Sequence, residues 1–180
     1  VRKEFEFEPR SYVVTFSTTV ENGTGPLNPS VEWGPGLGDV GASAGGGSFF
    51  RGNYVQPPEA ILHREGKAER IALDSLAKQP SHDGDFRFAG VDDHYFLAVT
   101  VNPGQTNVAY RPFSPPAAEG AERRYLAQTF RFAKGVDRVR FFIGPKQFDL
   151  LRSVEPELVR LRNVLGDHAA SFSLMRDVVA

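Results

Sequence analysis

The sequence predicts a mainly β domain: an antiparallel β-sandwich with one α-helix near its C-terminal end. Short apolar stretches that alternate with polar residues recur as far as Ile143, and glycine, proline or asparagine turns separate them. Phenylalanine, which favours strands, occurs 15 times beside 18 glycines and 13 prolines. Beyond Ile143 the apolar residues recur at helical spacing. We therefore expect one domain, in which residues 1–143 form the sandwich and 144–165 a helix packed on it; residues 166–180 form a tail with no assigned role.

The first two strands are expected to pair as a hairpin around Pro9-Arg10. Residues 1–8 alternate in character, with Phe5 and Phe7 on one side and three glutamates on the other, which is typical of a strand with one solvated face. Residues 11–21 supply the partner strand. Further strands are predicted at residues 31–33, 60–64, 68–74, 86–91, 94–101, 108–111, 124–132 and 136–143.

Three connections between these strands follow from their composition. Glu65-Gly66-Lys67 is expected to close a hairpin whose charged side chains point to solvent. Asn102-Pro103-Gly104-Gln105 is a strong turn signal between two strands. Residues 78–85 are polar and are expected to form a loop.

The helix is predicted from the point where the last strand stops, at Gly144-Pro145. Proline is tolerated at the first helical position, where its missing N–H costs nothing, so we expect the helix to begin at Pro145. Pro156 cannot donate in a helix interior and predicts a break, with Ser153 as a candidate cap. The residues that would share one helical face are Leu150, Val154, Leu158, Leu161 and Leu165.

Charge and composition exclude several classes of function. The formal net charge is -1, without a basic cluster, which argues against a nucleic-acid-binding module. The absence of cysteine excludes disulfides, thiolate metal sites and a cysteine nucleophile. No apolar run is long enough to cross a bilayer and Val1 does not open a signal-peptide pattern, so any membrane segment is expected outside these residues.

The sequence supports neither of two common enzyme motifs. Residues 36–41 match the G-x-G-x-x-G pattern of dinucleotide sites, but the glycine- and alanine-rich residues 42–47 that follow are poor helix formers, so no helix N-terminus would meet a pyrophosphate. The G-x-S-x-G pattern of serine hydrolases does not occur. We therefore predict no cofactor, no metal and no catalytic residue.

One acidic and histidine-rich region leaves an alternative open. Turn and strand-end roles are the simpler interpretation, since aspartate is common in turns and consecutive strand residues point to opposite faces. Metal binding or acid–base chemistry is the alternative, and chance carboxylate pairs would also permit glycoside hydrolysis. The isolated histidines His63 and His168 are expected to face solvent or to be hydrogen-bonded. The residues of the region are His82, Asp83, Asp85, Asp92, Asp93 and His94.

Several stretches resemble, in matching order, the large periplasmic domain of the YidC membrane protein insertase family (YidC/Oxa1/Alb3). The most specific is Ile143-Gly144-Pro145-Lys146, followed by Phe148, Leu150 and Leu151. The likeness extends from Val1 to about Leu161. The other matching stretches are Trp33-Gly34-Pro35-Gly36-Leu37-Gly38, Phe50-Arg51-Gly52 with Tyr54 and Pro58, and Tyr95-Phe96-Leu97-Ala98.

The resemblance implies a galactose-mutarotase-like β-supersandwich with a helix packed against it. It also implies a domain that is not an enzyme, that lies on the periplasmic side of the bacterial inner membrane as part of a membrane protein, and that serves as scaffold and partner surface in membrane protein insertion. The implied partners are the SecDF complex, through residues 49–74, and nascent membrane proteins. The implied partner-binding residues are Phe50, Arg51, Tyr54, Pro145, Phe148, Leu150 and Leu151.

Two departures and two rival functions accompany this resemblance. Family members have further strands ahead of the position of Val1, and the Tyr-Gly-Trp-like segment that follows their helix has no match in residues 166–180. A carbohydrate-binding or carbohydrate-active sandwich is the first rival, and it requires His82, Asp93 and His94 to converge in a cleft. A chaperone-like module that binds extended polypeptide at a sheet edge is the second.

Overall fold

The computed structural model describes residues 1–37, 57–93, 95–113 and 125–159. These residues form a mainly antiparallel β-structure with a short helix at its C-terminal end, as the sequence predicts. The strands are β1 (Arg2–Glu8), β2 (Val13–Asn22), β3 (Gly25–Leu27), β4 (Val31–Leu37), β5 (Glu59–Arg64), β6 (Lys67–Ile71), β7 (Ser81–Asp92), β8 (Phe96–Phe113), β9 (Tyr125–Phe132) and β10 (Val139–Pro145). The helices are α1 (Leu73–Leu76), α2 (Phe148–Val154) and a 3-10 helix (Pro156–Val159). None of the helices in the described part of the chain has the length and apolar character to span a membrane.

The long strand β8 organises the sheet. One of its edges pairs with β7 along nearly its whole length. The other edge divides, because residues 96–101 pair with β10 and residues 106–113 with β9. β10 continues into β2 and β1, and β9 continues into β4. The two branches face each other, with Trp33 of β4 stacked on Phe141 of β10 at 4.6 Å between ring centroids, and so close the sandwich.

The division of β8 corrects the predicted turn at residues 102–105. Asn102 and Gly104 have positive φ values of 51° and 66°, which sharply bend the strand. The chain does not reverse there, because β7 pairs with β8 on both sides of the bend and absorbs the irregularity as a register shift between Phe86 and Phe88. The two strands predicted around this signal are therefore one strand.

The central strands are buried on both faces, which explains their consecutive apolar residues. Phe141 points into the sandwich core between the two branches, whereas Phe142 points into a second core on the opposite face. We call the second one the helix core, because α2 and the 3-10 helix cover it. The buried residues of the helix core are Val13, Ile61, Phe88, Leu97, Val99, Val101, Phe142, Leu151, Val154 and Leu158.

The hairpins β1–β2 and β5–β6 are confirmed, but two expectations about exposure are wrong. Every residue of β1 is exposed, including Phe7 at 71 %, because β1 lies at the end of the strand order and packs on β2 alone, with Phe5 against Phe16. On β5–β6, the Arg70 side chain is only 15 % exposed and lies against acidic neighbours rather than pointing to solvent. The turn itself has positive φ at Glu65 and Gly66, as a tight two-residue hairpin requires.

The region predicted as a loop at residues 78–85 contains the start of β7. The strand begins at Ser81, and the short helix α1 precedes it. The strand was missed because its inward residue at that end is a histidine, His82, flanked by exposed Ser81 and Asp83. Position 82 is buried although its side chain is polar.

The predicted break before Pro156 is confirmed, whereas the predicted start of the helix is wrong. Gly144 and Pro145 remain in the β-ladder opposite Leu97 and Phe96, so α2 begins only at Phe148, after the N-cap residue Gln147. Glu155 is extended, with φ −156° and ψ 115°, and separates α2 from the 3-10 helix.

The predicted cap at Ser153 is wrong as well. Its hydroxyl donates to the Leu150 carbonyl at 2.7 Å, and the Glu155 carboxylate instead accepts from the Glu157 N–H at 3.3 Å. Leu150 is half-buried, while Val154 and Leu158 are buried. Leu161 and Leu165 lie outside the described residues.

Candidate functional site

The helix-bearing face is the part of the molecule where buried apolar and charged groups meet. Leu151, Val154 and Leu158 cover strands β5, β7, β8 and β10 and are 2 %, 9 % and 0 % exposed. These contacts supply a nonspecific attraction, since burial of apolar area has no directional preference. The position of the helix on this face is therefore set by the polar contacts at its two ends.

A cluster of four charged residues holds the start of the helix. We call Glu59, Arg70, Asp92 and Lys146 the Asp92 cluster. Asp92 is completely buried and contacts Arg70 Nη1 through Oδ2, while Lys146 Nζ lies 2.9 Å from its Oδ1. Glu59 Oε2 lies 3.3 Å from Arg70 Nη1. Two cations thus neutralise two carboxylates, which is the condition for keeping such charges out of water.

Lys146 also ties the helix start to the turn between β7 and β8. Its Nζ donates to the Asp93 carbonyl at 2.6 Å, and its backbone N–H donates to the Tyr95 carbonyl at 2.9 Å. The Asp93 carboxylate is used within the same turn, because its Oδ1 accepts from the N–H groups of Tyr95 and Phe96 at 2.8 and 2.6 Å. Asp92 and Asp93 therefore have the turn and strand-end roles that aspartate often takes.

Buried carboxylates hold the other end of the helix. Glu155 is 4 % exposed, accepts from Asn102 Nδ2 at 2.9 Å and lies 3.6 Å from Arg87 Nε. Glu157 Oε2 lies 3.3 Å from Nε2 of His63, which is buried against Phe88 rather than facing solvent. The helix is therefore fixed at both ends to strands that are distant in sequence.

The acidic and histidine residues for which the sequence permitted a metal or acid–base site do not converge in the structure. His82 and Asp93 lie at opposite ends of the β7–β8 ribbon, about 35 Å apart along the strand. His94 is outside the described residues. In the described part of the chain, no group of three or more histidine and carboxylate side chains is arranged to hold a metal ion.

His82 should make the stability of the domain depend on pH. Burial, followed by the charge of Arg64, lowers the pKa of His82, and the Gln79 carbonyl, Glu69 and Asp83 oppose that shift. The unfolded chain therefore takes up a proton before the folded one does. We expect the free energy of unfolding to decrease as the pH falls below about 6.5, the ordinary histidine value, until the folded-state pKa is passed.

The measurement for His82 is urea unfolding at pH 7.5 and at pH 5.5. His82→Gln should lose less stability than the wild type over that interval, because glutamine does not titrate. An equal loss in both proteins would show that the pH dependence arises at groups other than His82.

The predicted partner-binding residues differ widely in exposure. Phe50, Arg51 and Tyr54 lie outside the described residues. Pro145 and Leu150 are half-buried, and Leu151 is a member of the helix core. Phe148 is 38 % exposed at the start of α2. Their role in partner binding stays a prediction, and among the four that the structure describes Phe148 is the most exposed.

Further exposed aromatic side chains surround the same strand-to-helix corner. Tyr12, Tyr95 and Phe96 are 53 %, 63 % and 50 % exposed. Phe96 pairs with Pro145 in the β-ladder, and the Tyr12 side chain lies against Gly144, where an added Cβ would come within 2.9 Å of it. Gly144 is thus required for the close approach of the tyrosine.

Sequence reasoning missed the Asp92 cluster. Lys146 and Asp92 were each noted, one in a motif and one in a turn, but no local pattern pairs residues 54 positions apart. A weak signal was Arg70 itself, a charge placed between strand residues Ala68 and Ile71.

A family model described as the YidC periplasmic domain matches residues 1–163 of the chain. The match includes the strands, α2 and the 3-10 helix. A search of the curated proteins found no match.

Proposed function

This chain belongs to the YidC periplasmic domain family, and from that premise we propose that it is a non-catalytic scaffold that presents a partner surface during membrane protein insertion. The family makes it a periplasmic domain of a membrane insertase, and hence part of a membrane-anchored protein. The proposal adds the role: partners are engaged at the strand-to-helix corner. The implied partners are SecDF subunits and nascent membrane proteins.

One observation carries this proposal. The helix α2 is fixed to the sandwich at both ends by Lys146 and Glu155, whereas Phe148 at its start keeps 38 % of its surface accessible. A rigidly held aromatic side chain loses little conformational freedom on binding, which is why aromatic residues are frequent among the residues that dominate interface energies. The neighbouring exposed side chains of Tyr95 and Phe96 extend the same surface.

A second part of the surface is proposed from the resemblance. Residues 49–74 are the expected SecF contact region, and its described part is the hairpin β5–β6. β6 ends the strand order of the sheet, so a partner could approach it from the side opposite β5. The carbohydrate alternative gains no support, because His82 and Asp93 do not converge.

Phe148→Ala tests the proposal in the complete insertase. Truncation of an interface aromatic typically costs more than about 1 kcal/mol of binding, or about fivefold in affinity. We expect insertion of a dependent membrane protein to fall, together with co-purification of SecDF. Insertion is measured by protease protection of a newly made substrate in vesicles that contain the wild-type insertase or the Phe148→Ala variant.

Phe7→Ala is the matched control. It removes the same ring from a more exposed site on β1, which β2 separates from β10, and should leave insertion unchanged. Normal insertion and normal co-purification by Phe148→Ala, in a protein of unchanged abundance, would reject the strand-to-helix corner as a partner surface.

A further inference from the structure

A second polar site lies at the opposite end of the helix core from the Asp92 cluster. It is a cleft of about 260 Å³ between the β5–β6 turn and the bend of β8, which we call the Asp85 cleft. Small-molecule sites usually exceed about 300 Å³, so this volume suits a single long side chain. The lining residues that matter for its chemistry are His63, Arg64, Glu65, Asp85, Arg87 and Asn102.

The arginine and asparagine side chains of the Asp85 cleft already contact carboxylates. Arg64 Nη2 lies 3.4 Å from Glu69 Oε2. Arg87 Nε lies 3.6 Å from Glu155 Oε1, and Asn102 Nδ2 donates to the other oxygen of Glu155 at 2.9 Å. The cationic and amide groups of the cleft are therefore committed to carboxylates of the same domain.

The acceptors have capacity left. Within the described residues, the carboxylates of Glu65 and Asp85 make no ion pair or hydrogen bond. His63 is 4 % exposed, and its Nδ1 has no hydrogen-bond partner among those residues. A neutral ring that carries its proton on Nε2, the nitrogen 3.3 Å from the Glu157 carboxylate, offers Nδ1 as an acceptor.

The net charge around the cleft is negative, which agrees with its excess of hydrogen-bond acceptors. Arg64 and Arg87 are the cations, and carboxylates outnumber them. The carboxylates that line the cleft or contact its lining residues are Glu65, Glu69, Asp85, Glu155 and Glu157. An open cleft with this charge attracts a cation that can donate several hydrogen bonds.

We propose that the Asp85 cleft binds a basic side chain, the guanidinium of arginine or the ammonium of lysine, from a partner polypeptide. Glu65 and Asp85 bind the charge, and His63 Nδ1 accepts one of its N–H groups. The identification of the partner as a polypeptide rests on the proposed function. The binding chemistry belongs to this domain and is measurable without an insertase.

The test uses the ¹⁵N-labelled 180-residue chain and two blocked peptides, acetyl-GSRSG-amide and acetyl-GSQSG-amide. The arginine peptide should cause saturable NMR shifts at the amides of Gly66 and Gly104 and at the His63 ring. The glutamine peptide should cause none. The double variant Glu65→Gln, Asp85→Asn should weaken binding about tenfold, as expected for the loss of charged hydrogen bonds.

Glu21→Gln is the matched control, since it removes one exposed carboxylate from the end of β2, away from the cleft. It should leave the affinity unchanged. Equal shifts with both peptides, or an affinity that the double variant does not alter, would overturn the proposal.

The chain's own Arg160 and Arg162 are the competing source of a guanidinium. If the arginine peptide bound only to the Arg160→Ala, Arg162→Ala variant and not to the wild type, the cleft would serve the chain itself and the partner role would be overturned. A failure of these binding tests leaves the insertion experiment on Phe148 unaffected, so the two proposals fail separately.

Discussion

Asp92→Ala is expected to destabilise the domain by about 3–5 kcal/mol, because it removes the carboxylate that neutralises two buried cations. Arg70 and Lys146 are only 15 % and 11 % exposed and would keep their charges with Glu59 as the remaining carboxylate of the cluster. The helix start would be affected as well, since Lys146 would be held only by the Asp93 carbonyl. Urea unfolding monitored by circular dichroism measures the loss.

Two further variants make this prediction specific. Asp85→Ala, an exposed aspartate on the same strand, should change stability by less than about 0.5 kcal/mol. The quadruple variant Glu59→Met, Arg70→Met, Asp92→Leu, Lys146→Met replaces the whole cluster with apolar side chains and should recover most of the lost stability, since no buried charge is left unpaired. A cost below about 1 kcal/mol for Asp92→Ala would show that water reaches the cluster and compensates the cations.

Leu151→Asp is expected to have an effect of similar or greater size. Removal of a buried leucine side chain typically costs about 2–5 kcal/mol, and a buried carboxylate without a partner adds to that cost. Leu151 is 2 % exposed and packs against the other buried apolar side chains of the helix core. Leu150→Ala on the same helix turn is the control and should cost clearly less, because Leu150 is only half-buried.

Fluorescence of the single tryptophan reports whether the destabilisation by Leu151→Asp is confined to the helix core. Trp33 stacks on Phe141 in the sandwich core, on the face of the sheet opposite to Leu151. The two cores share the same strands, so we expect tryptophan fluorescence and far-UV circular dichroism of Leu151→Asp to report one common transition, shifted to lower urea. A fluorescence transition at the wild-type midpoint would mean that the helix detaches while the sandwich remains folded.

The predictions for Leu151 and Phe148 separate residues that the family motif joins. Phe148 and Leu151 were both expected to bind partners, yet Leu151 lies in the core and Phe148 at the surface. A loss of insertion by a Leu151 variant would therefore be explained by lost stability. Only the Phe148 variant bears directly on partner binding.

The different burial of Asp85 and Asp92 could not be predicted from the residues next to them in sequence. Asp85 and Asp92 occur within one strand and look alike in sequence, but one lines an open cleft and the other is completely buried between two cations. The difference depends on Arg70 and Lys146, which reach Asp92 from β6 and from the end of β10. No spacing rule connects these segments.

The sequence by itself determined the features that depend on neighbouring residues. Alternation and turn chemistry predicted the β class and the hairpins β1–β2 and β5–β6, and Pro156 predicted the break after α2, because each depends on backbone preferences within a few residues. Tertiary structure decided the rest. The continuity of β8 through Asn102 depends on its pairing with β7, and the burial of His63 and Asp92 depends on partners more than 20 residues away. Pairing energies and charge compensation across the sheet outweigh local preference at those positions, since a buried polar group must find its partner wherever the fold supplies one.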